Sequence, residues 1–304
     1  MASKQARLDD NFTRVNVSAG SHELFRTTID TNHEIEQIEG AALRVNILAH
    51  DQNIPGRDYV YNNRSGVDTS LAFGHDKGSD TRLFLNLFYQ KEDNLSDYGI
   101  PFVENNATGV GLFPGHVGLP APVNYDNFYG LVDRDFEDTD VARFTARFEH
   151  DINEAVTIRN QTRIGRSNRF SLATAPRFNA ANPGVITRNF QDRDEVIDLF
   201  ISQSDLLFKF DTGDWEHEAI LGMEVAREDY FRRRLSSVGT VNTADPFNPD
   251  PFNSPTPSYI PNGNFSEAQM LSTSVYLFDT IEVTPWLDIT GGARFDRIDI
   301  DIAT

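Results

Sequence analysis

The seven histidines are the side chains of this 304-residue sequence best suited to bind a transition metal. No two of them are spaced as a pair on one helix face, and the sequence has no cysteine that could add a thiolate ligand. The histidines are His22, His33, His50, His75, His116, His150 and His217. We therefore expect no metal ion bound by protein side chains.

Two further patterns resemble motifs that bind nucleotides or catalyse hydrolysis. Residues 109–115 (GVGLFPG) are rich in glycine, but their spacing differs from that of a nucleotide-binding loop and no strand–helix pair surrounds them. Asp192 and Asp194 could imitate the carboxylate pair of a glycosidase. Because the sequence contains 46 Asp and Glu residues, such pairs are expected by chance. Neither pattern predicts a catalytic site.

The bulk composition excludes two classes of protein. Mean hydropathy is -0.44, and no segment approaches the ~20 consecutive apolar residues that a membrane-spanning helix needs. The net charge of -19 argues against non-specific nucleic-acid binding, which requires a basic surface. A transmembrane barrel stays compatible with these values, because each of its strands is apolar on one face only.

Apolar and polar residues alternate with a period of two in several segments, which is the pattern of a β-strand. The alternation is clear at 216–227 and 287–296, and clearest at 141–150. There one face carries Phe144, Ala146 and Phe148, and the other carries Arg143, Thr145, Arg147 and Glu149. A barrel wall between lipid and a wet lumen and a soluble β-sandwich both show this pattern, so the alternation alone leaves both open.

The connections between the strands separate these two architectures. Eleven strands are predicted near 11–20, 23–31, 41–50, 65–74, 81–91, 139–151, 155–166, 196–210, 214–228, 267–282 and 286–300. Tight connections at 75–80, 152–154, 211–213 and 283–285 alternate with long segments at 92–138, 167–195 and 229–266. In a meander, every second connection emerges on the same side. Short turns on one side and long loops on the other are typical of an outer-membrane β-barrel.

Ten short segments in a characteristic order carry a family resemblance. They are residues 11–20, 42–46, 55–58, 70–74, 97–101, 148–151, 158–160, 162–163, 276–280 and 291–296. Together they resemble the TonB-dependent outer-membrane siderophore receptors, and most closely the catecholate-type ferric siderophore receptors. The resemblance covers nearly the whole sequence.

The resemblance implies an all-β fold, an antiparallel transmembrane β-barrel of 22 strands with a plug domain in its lumen, located in the bacterial outer membrane. The eleven strands predicted here are half of that number. Residues 1–10 would then be the end of the plug and the plug–barrel junction, and residues 11–304 the N-terminal half of the barrel. We expect this segment by itself not to form an active transporter, because half a barrel has two unpaired edges that lipid does not tolerate.

The resemblance also implies the function. Such receptors are not enzymes; they bind a ferric siderophore at the outer face and pass it inward with energy from the TonB complex. The siderophore supplies the iron ligands, so no cofactor is expected. Outer-membrane lipid and lipopolysaccharide are further expected partners. The alternatives are a passive porin or adhesin-type barrel and a soluble β-rich carbohydrate-active protein.

Ferric catecholates are anionic and rich in rings, so a binding site would combine arginine with aromatic residues. The long segments 92–138 and 167–195 supply both. The candidate ligand-binding residues are Tyr98, Phe102, Phe113, Tyr125, Phe128, Tyr129, Arg134, Arg169 and Arg177. Residues 232–234 (RRR) at the outer rim could attract an anionic chelate or be a solvated edge. Arg143, Arg147, Arg159, Arg163, Glu149, Glu218 and Glu224 are expected to face the lumen, in cross-strand ion pairs or against the plug.

Overall fold

A computed structural model describes residues 4–74, 79–103, 112–178, 182, 184–238, 243–252 and 258–303. Within these residues the chain forms twelve antiparallel strands of one sheet. Their bounds are Phe12–Ala19 (β1), Phe25–Glu34 (β2), Ala41–Asn53 (β3), Tyr61–Phe73 (β4), Thr81–Asn94 (β5), Phe136–Asn153 (β6), Val156–Phe178 (β7), Ile186–Thr212 (β8), Trp215–Val238 (β9), Thr243–Ala244 (β10), Ser258–Thr284 (β11) and Leu287–Ala303 (β12). No helix in these ranges is long and apolar enough to cross a membrane.

The strands follow one another in the sheet in chain order, so the sheet is a meander. The one exception is the two-residue β10, which was not predicted and pairs with the outer end of β8. All eleven predicted strands are present, which confirms the antiparallel β-architecture. Of the tight connections, those between β6 and β7, β8 and β9, and β11 and β12 are two-residue turns. Residues 75–78 of the fourth predicted turn lie outside the described residues.

Two of the three predicted long loops are largely strand. β7 continues to Phe178 and β8 begins at Ile186, so most of 167–195 is a paired hairpin. β9 and β11 likewise extend into 229–266. β8 has 27 residues, whereas a tilted strand crosses the hydrocarbon core with about 9–11. The prediction failed because apolar and polar residues do not alternate regularly in these outer strand ends, which are paired by ladder hydrogen bonds.

The register places apolar and polar residues on opposite faces of the sheet. One face, the apolar face, carries exposed large side chains such as Leu87, Ile164 and Phe200. The other face, the polar face, carries buried polar side chains, among them Asn86 and Thr145. Cross-strand partners always share a face, so the alternation predicted for single strands continues across the sheet.

An ion-pair row crosses four strands of the polar face. Arg82, Glu149, Arg159 and Asp205 are successive register partners on β5, β6, β7 and β8. Arg82 Nε lies 3.3 Å from a carboxylate oxygen of Glu149, and Arg159 Nη2 lies 2.7 Å from one of Asp205. The predicted cross-strand ion pairs are therefore present in this row.

The ion-pair row continues across β9, where the Tyr276 side chain lies over Gly222. Its hydroxyl donates to Asp205 and accepts a hydrogen bond of 2.7 Å from the Gln203 amide. Gly222 is the register partner of both Asp205 and Tyr276. A Cβ at Gly222 would lie 2.1 Å from the Tyr276 ring, so a larger residue there excludes the ring from this position.

We expect Gly222→Ala to displace Tyr276 and to break both of its hydrogen bonds. The free energy of unfolding should fall by about 1–3 kcal/mol, measured as a lower temperature at which the folded barrel loses its fast migration in a detergent gel. Gly291→Ala is the matched control, because a Cβ at Gly291 meets no atom within 4 Å. Equal transition temperatures for the two variants would contradict the proposed packing of Tyr276.

Candidate functional site

The long connection between β5 and β6 is bound to the connection between β3 and β4. Arg57 Nε donates to an Asp97 carboxylate oxygen at 2.6 Å, and the same guanidinium donates to the main-chain oxygen of Tyr125. The Asp58 amide donates to the main-chain oxygen of Asp126 at 2.9 Å. The connection is therefore held at its start and in its second half.

This connection folds into a cap with its own apolar core. We define the outer cap as residues 95–103, 112–135 and 243–252. Its core contains Val103, Phe113, Ala121, Val123, Tyr129 and Ala244, together with Ile186 from β8. The Phe113 ring contacts the rings of Phe178 and Phe247, with centroids 5.8 and 5.6 Å away. Burying a large aromatic side chain contributes about 1.5–3 kcal/mol, so the cap is ordered by hydrophobic packing.

Arg188 of β8 joins the two parts of the outer cap. Its Nε donates to the main-chain oxygen of Tyr129 at 2.8 Å, and its Nη2 donates to that of Asp250 at 2.5 Å. The side chain is fully buried and its Nη1 has no hydrogen-bond partner among the described residues. Burial, together with the neighbouring Arg134 guanidinium, lowers the pKa of Arg188 to about 10.

Arg134 is also engaged inside the outer cap. Its Nε donates to Asp135 at 2.6 Å, its Nη1 donates to the Tyr259 hydroxyl at 2.9 Å, and its Nη2 donates to the Thr174 hydroxyl. Asp135 in turn accepts the Thr174 amide at 3.0 Å. All three guanidinium nitrogens of Arg134 are occupied by protein groups, so this arginine connects the cap to β7 and β11.

The nine predicted ligand-binding residues fall into two groups. Four are buried in the outer cap, at 6% exposure or less: Phe113, Phe128, Tyr129 and Arg134. The remaining five lie at the surface or near it: Tyr98, Phe102, Tyr125, Arg169 and Arg177. The structure therefore does not bring all nine together at one surface.

A cleft beside the outer cap brings two of the nine together. Tyr98 and Arg169 line it with Arg193, which the sequence analysis did not select. The volume of this outer cleft is about 270 Å³. Its remaining lining residues are Ser96, Asp97, Glu137, Ser171, Ala173 and Gln191. Arg169, Ser171 and Arg193 are on the polar side of the β7–β8 hairpin, because Ser171 pairs with Arg193 and Arg169 with Glu195.

The two arginines of the outer cleft differ in their partners. Arg169 lies 2.5 Å from a carboxylate oxygen of Glu137 and 3.9 Å from one of Glu195. Arg193 donates to the main-chain oxygen of Asp192 at 3.0 Å and forms no ion pair within the described residues. Arg193 is therefore the cation of this cleft that is free to bind an anion. Only its position opposite Ser171 in the β7–β8 register could have identified it, and that register was not predicted.

Two of the three arginines at 232–234 are neutralised. Arg233 lies 2.5 Å from Asp194, and Arg232 lies 3.8 Å from Asp192 and also donates to its main-chain oxygen at 2.8 Å. Of the three arginines, Arg234 alone is exposed and has no ion pair within the described residues. This pairing favours the solvated-edge interpretation of the run.

A larger depression than the outer cleft lies on the apolar face. Its volume is about 700 Å³, and it is lined by side chains such as Leu87, Phe144 and Ile164, with the Arg166–Asp198 ion pair at one end. An apolar lining of this kind accommodates hydrocarbon and not an anionic chelate. The outer cleft is thus the better candidate for a charged ligand.

Comparison with known proteins gives a consistent result. The family model described as TonB dependent receptor-like, beta-barrel matches residues 26–304. The catecholate siderophore receptor Fiu of Escherichia coli K12 is 33% identical over 98% of this chain and 39% of its own length. The probable TonB-dependent siderophore receptor PiuA of Acinetobacter baumannii is 28% identical over 99% of this chain and 42% of its own length. The chain thus spans about two fifths of the length of these relatives.

Solved structures agree with the sequence comparisons. The crystal structure of the ferric-catecholate import receptor Fiu from E. coli K12, in its open form, superposes with a TM-score of 0.86 at 30% identity, covering 99% of this chain and 46% of that one. The siderophore receptor PiuA from A. baumannii superposes with a TM-score of 0.84 at 26% identity, covering 99% of this chain and 44% of that one.

Arg188→Ala should loosen the outer cap without unfolding the sheet, because it removes the two hydrogen bonds that the Arg188 side chain donates to the two cap segments. We expect cleavage of the cap by an external protease to become about tenfold faster, which corresponds to about 1.4 kcal/mol of local stability. Arg177→Ala, an exposed arginine on β7, is the control. If both variants were cleaved at the rate of the unsubstituted protein, Arg188 would not be the residue that holds the cap.

Proposed function

Because this chain belongs to the TonB-dependent receptor-like β-barrel family, we propose that the receptor containing this chain imports ferric siderophores of the catecholate type. The family consists of transport receptors of the bacterial outer membrane, not enzymes. Membership decides against the adhesin and carbohydrate-active alternatives. It also favours energised import over passive diffusion through a porin.

The observation that carries the proposal is the unpaired Arg193 beside Arg169 and Tyr98 in the outer cleft. Ferric tris-catecholate has a net negative charge and presents flat rings, whereas ferric tris-hydroxamate is neutral. A guanidinium donates charge-assisted hydrogen bonds to anionic catecholate oxygens, and a tyrosine ring can contact the catechol face. The composition of the outer cleft therefore supports a catecholate over a hydroxamate ligand.

The other predicted residues take a different part in this proposal. Phe113, Phe128, Tyr129 and Arg134 would shape the outer cap and position the cleft from behind, since they are buried in contact with protein groups. Tyr98 and Arg169 would contact the chelate directly. Phe102, Tyr125 and Arg177 remain proposed contacts at the exposed surface of the cap and hairpin.

We also propose that residues 1–10 are the junction between a plug and the barrel wall. Residues 4–7 lie on the polar face, which would be the lumen side of a barrel. Lys4 Nζ lies 2.8 Å from Asp30, the Ala6 amide donates to the Ser70 hydroxyl at 3.2 Å, and the Arg7 amide donates to Asn32 at 2.9 Å. In this proposal the TonB complex contacts the plug region and not the wall.

Outer-membrane lipid and lipopolysaccharide are the proposed partners of the apolar face. Exposed Leu221, Met223 and Val275 share the apolar face with Phe144 and Ile164. Such a surface is stable in a hydrocarbon environment and would aggregate in water.

Arg193→Gln should weaken binding of ferric tris-catecholate to the intact receptor about tenfold, because loss of one charge-assisted hydrogen bond costs about 1.4 kcal/mol or more. Binding is measured by equilibrium titration in detergent. Arg297→Gln is the control. Arg297 is an exposed residue of β12 on the apolar face, and its ion pair with Asp299 is remote from the outer cleft.

The proposed role of the outer cleft would be wrong if the Kd of the Arg193 variant equalled that of the unsubstituted receptor. It would also be wrong if a neutral ferric tris-hydroxamate bound as tightly as the catecholate and lost the same affinity in the Arg193 variant, because charge would then not be the basis of recognition.

A further inference from the structure

Two arginines on the polar face lie next to each other without a carboxylate partner among the described residues. Arg143 of β6 and Arg163 of β7 lie on neighbouring strands, where Thr145 pairs with Arg163 and Arg143 pairs with Gly165. The two guanidinium groups therefore project from adjacent positions of the same face.

Several other arginines of this face are matched by carboxylates, whereas Arg14, Arg26, Arg193 and Arg234 also lack an ion pair within the described residues. The pairs are Arg44 with Asp30, Arg82 with Glu149 and Asp151, Arg147 with Glu149, Arg159 with Asp205, and Arg294 with Glu224 and Asp296. Neither Arg143 nor Arg163 has an ion pair within the described residues. Arg163 Nε donates to the Thr145 hydroxyl at 3.2 Å, and Arg143 Nε is buried without any hydrogen-bond partner among those residues.

The surroundings of the pair are partly apolar. The Arg143 guanidinium lies over the Phe88 ring, 4.8 Å from its centroid. On β8, Leu199 pairs with Gly165 and Ile201 pairs with Arg163, so two aliphatic side chains occupy the same face. Adjacent like charges beside apolar groups are unfavourable unless an anion is present to compensate them.

No side chain of β7 covers the position opposite Arg143. Gly165 has no side chain opposite Arg143, and a Cβ built there finds its nearest neighbour 3.5 Å away, at the main-chain oxygen of Ala142. The nearby acid, Asp68, is the register partner of Phe88 and is engaged with the Asn86 amide. No carboxylate of the described wall thus occupies the position in front of the two arginines.

We propose that Arg143 and Arg163, with Phe88 beneath them, form a second anion-binding station in the lumen, which takes the ferric catecholate after it leaves the outer cleft. The proposal rests on the proposed function above. Arg163 and Arg169 lie on the same face of β7, six residues apart, so the station lies about 20 Å below the outer cleft at ~3.3 Å per residue. A ligand would move between two arginine sites along one strand.

The apolar residues favour this occupant over a carboxylate from a plug domain. A lone carboxylate needs only the two guanidinium groups, and the Phe88 ring and the aliphatic Leu199 and Ile201 would add nothing to its binding. A ring-bearing anion uses both the arginines and the apolar side chains. Its oxygens accept hydrogen bonds from the arginines while its rings contact the apolar side chains.

The test compares surface binding with transport in a receptor-null, iron-starved strain that carries the complete receptor. Arg143→Gln, Arg163→Gln and the double variant are compared with Arg297→Gln as control. Binding of ferric tris-catecholate is measured in de-energised cells, and iron uptake is measured in energised cells. We expect the double variant to keep its surface Kd within about twofold and to lose about tenfold in uptake rate. Arg143→Lys should retain part of the rate, because the charge is kept and the planar recognition is lost.

Three results would overturn the proposal. Unchanged uptake in the double variant would show that the arginines lie off the path of the ligand. A loss of surface binding equal to the loss of uptake would show that the two arginines belong to the outer binding site and do not form a second site. A lower unfolding temperature together with entry of a bulky antibiotic would show that the arginines hold a plug carboxylate instead. Failure of the proposed function differs from all three, because the unsubstituted receptor itself would then import no ferric tris-catecholate.

Discussion

Every wall strand of this protein must satisfy its backbone hydrogen bonds within the sheet, because hydrocarbon offers none. The meander meets this constraint by pairing each internal strand with its two sequence neighbours. The same ladder continues beyond the membrane, where β7 and β8 stay paired up to Phe178 and Ile186. The outer cap packs on that extended hairpin, so the position of the candidate site depends on backbone pairing that begins in the membrane.

The ladder also determines which side chains meet. Register partners share a face, and on the polar face several arginines are neutralised by a carboxylate on a neighbouring strand, as in the Arg159–Asp205 pair. Against that background an arginine without an acid partner is informative. Arg193 in the outer cleft, and Arg143 with Arg163 lower on the same face, are among the positions where the described wall leaves positive charge uncompensated. The acidic net charge of -19 makes such local positions necessary for binding an anion.

The fold was predictable because an apolar–polar period of two has a direct physical cause in a half-buried strand, as at Phe144 and Thr145. The outer ends of β7 and β8 were not predictable in this way, since beyond the membrane neither face must be apolar. The same holds for the site. Composition identified the connection that forms the outer cap. It did not indicate that Phe113 and Tyr129 are buried in the hydrophobic core of that cap. Arg193 depends on a long-range register that no local spacing reveals.

The most direct measurement is the uptake of radiolabelled iron by an iron-starved, receptor-null strain that expresses the complete receptor. Iron is supplied either as the anionic ferric tris-catecholate or as the neutral ferric tris-hydroxamate, in cells with and without a functional TonB complex. The account predicts uptake from the catecholate alone, and only when TonB is functional. Uptake that persists without TonB, or that does not distinguish the two chelates, would contradict it.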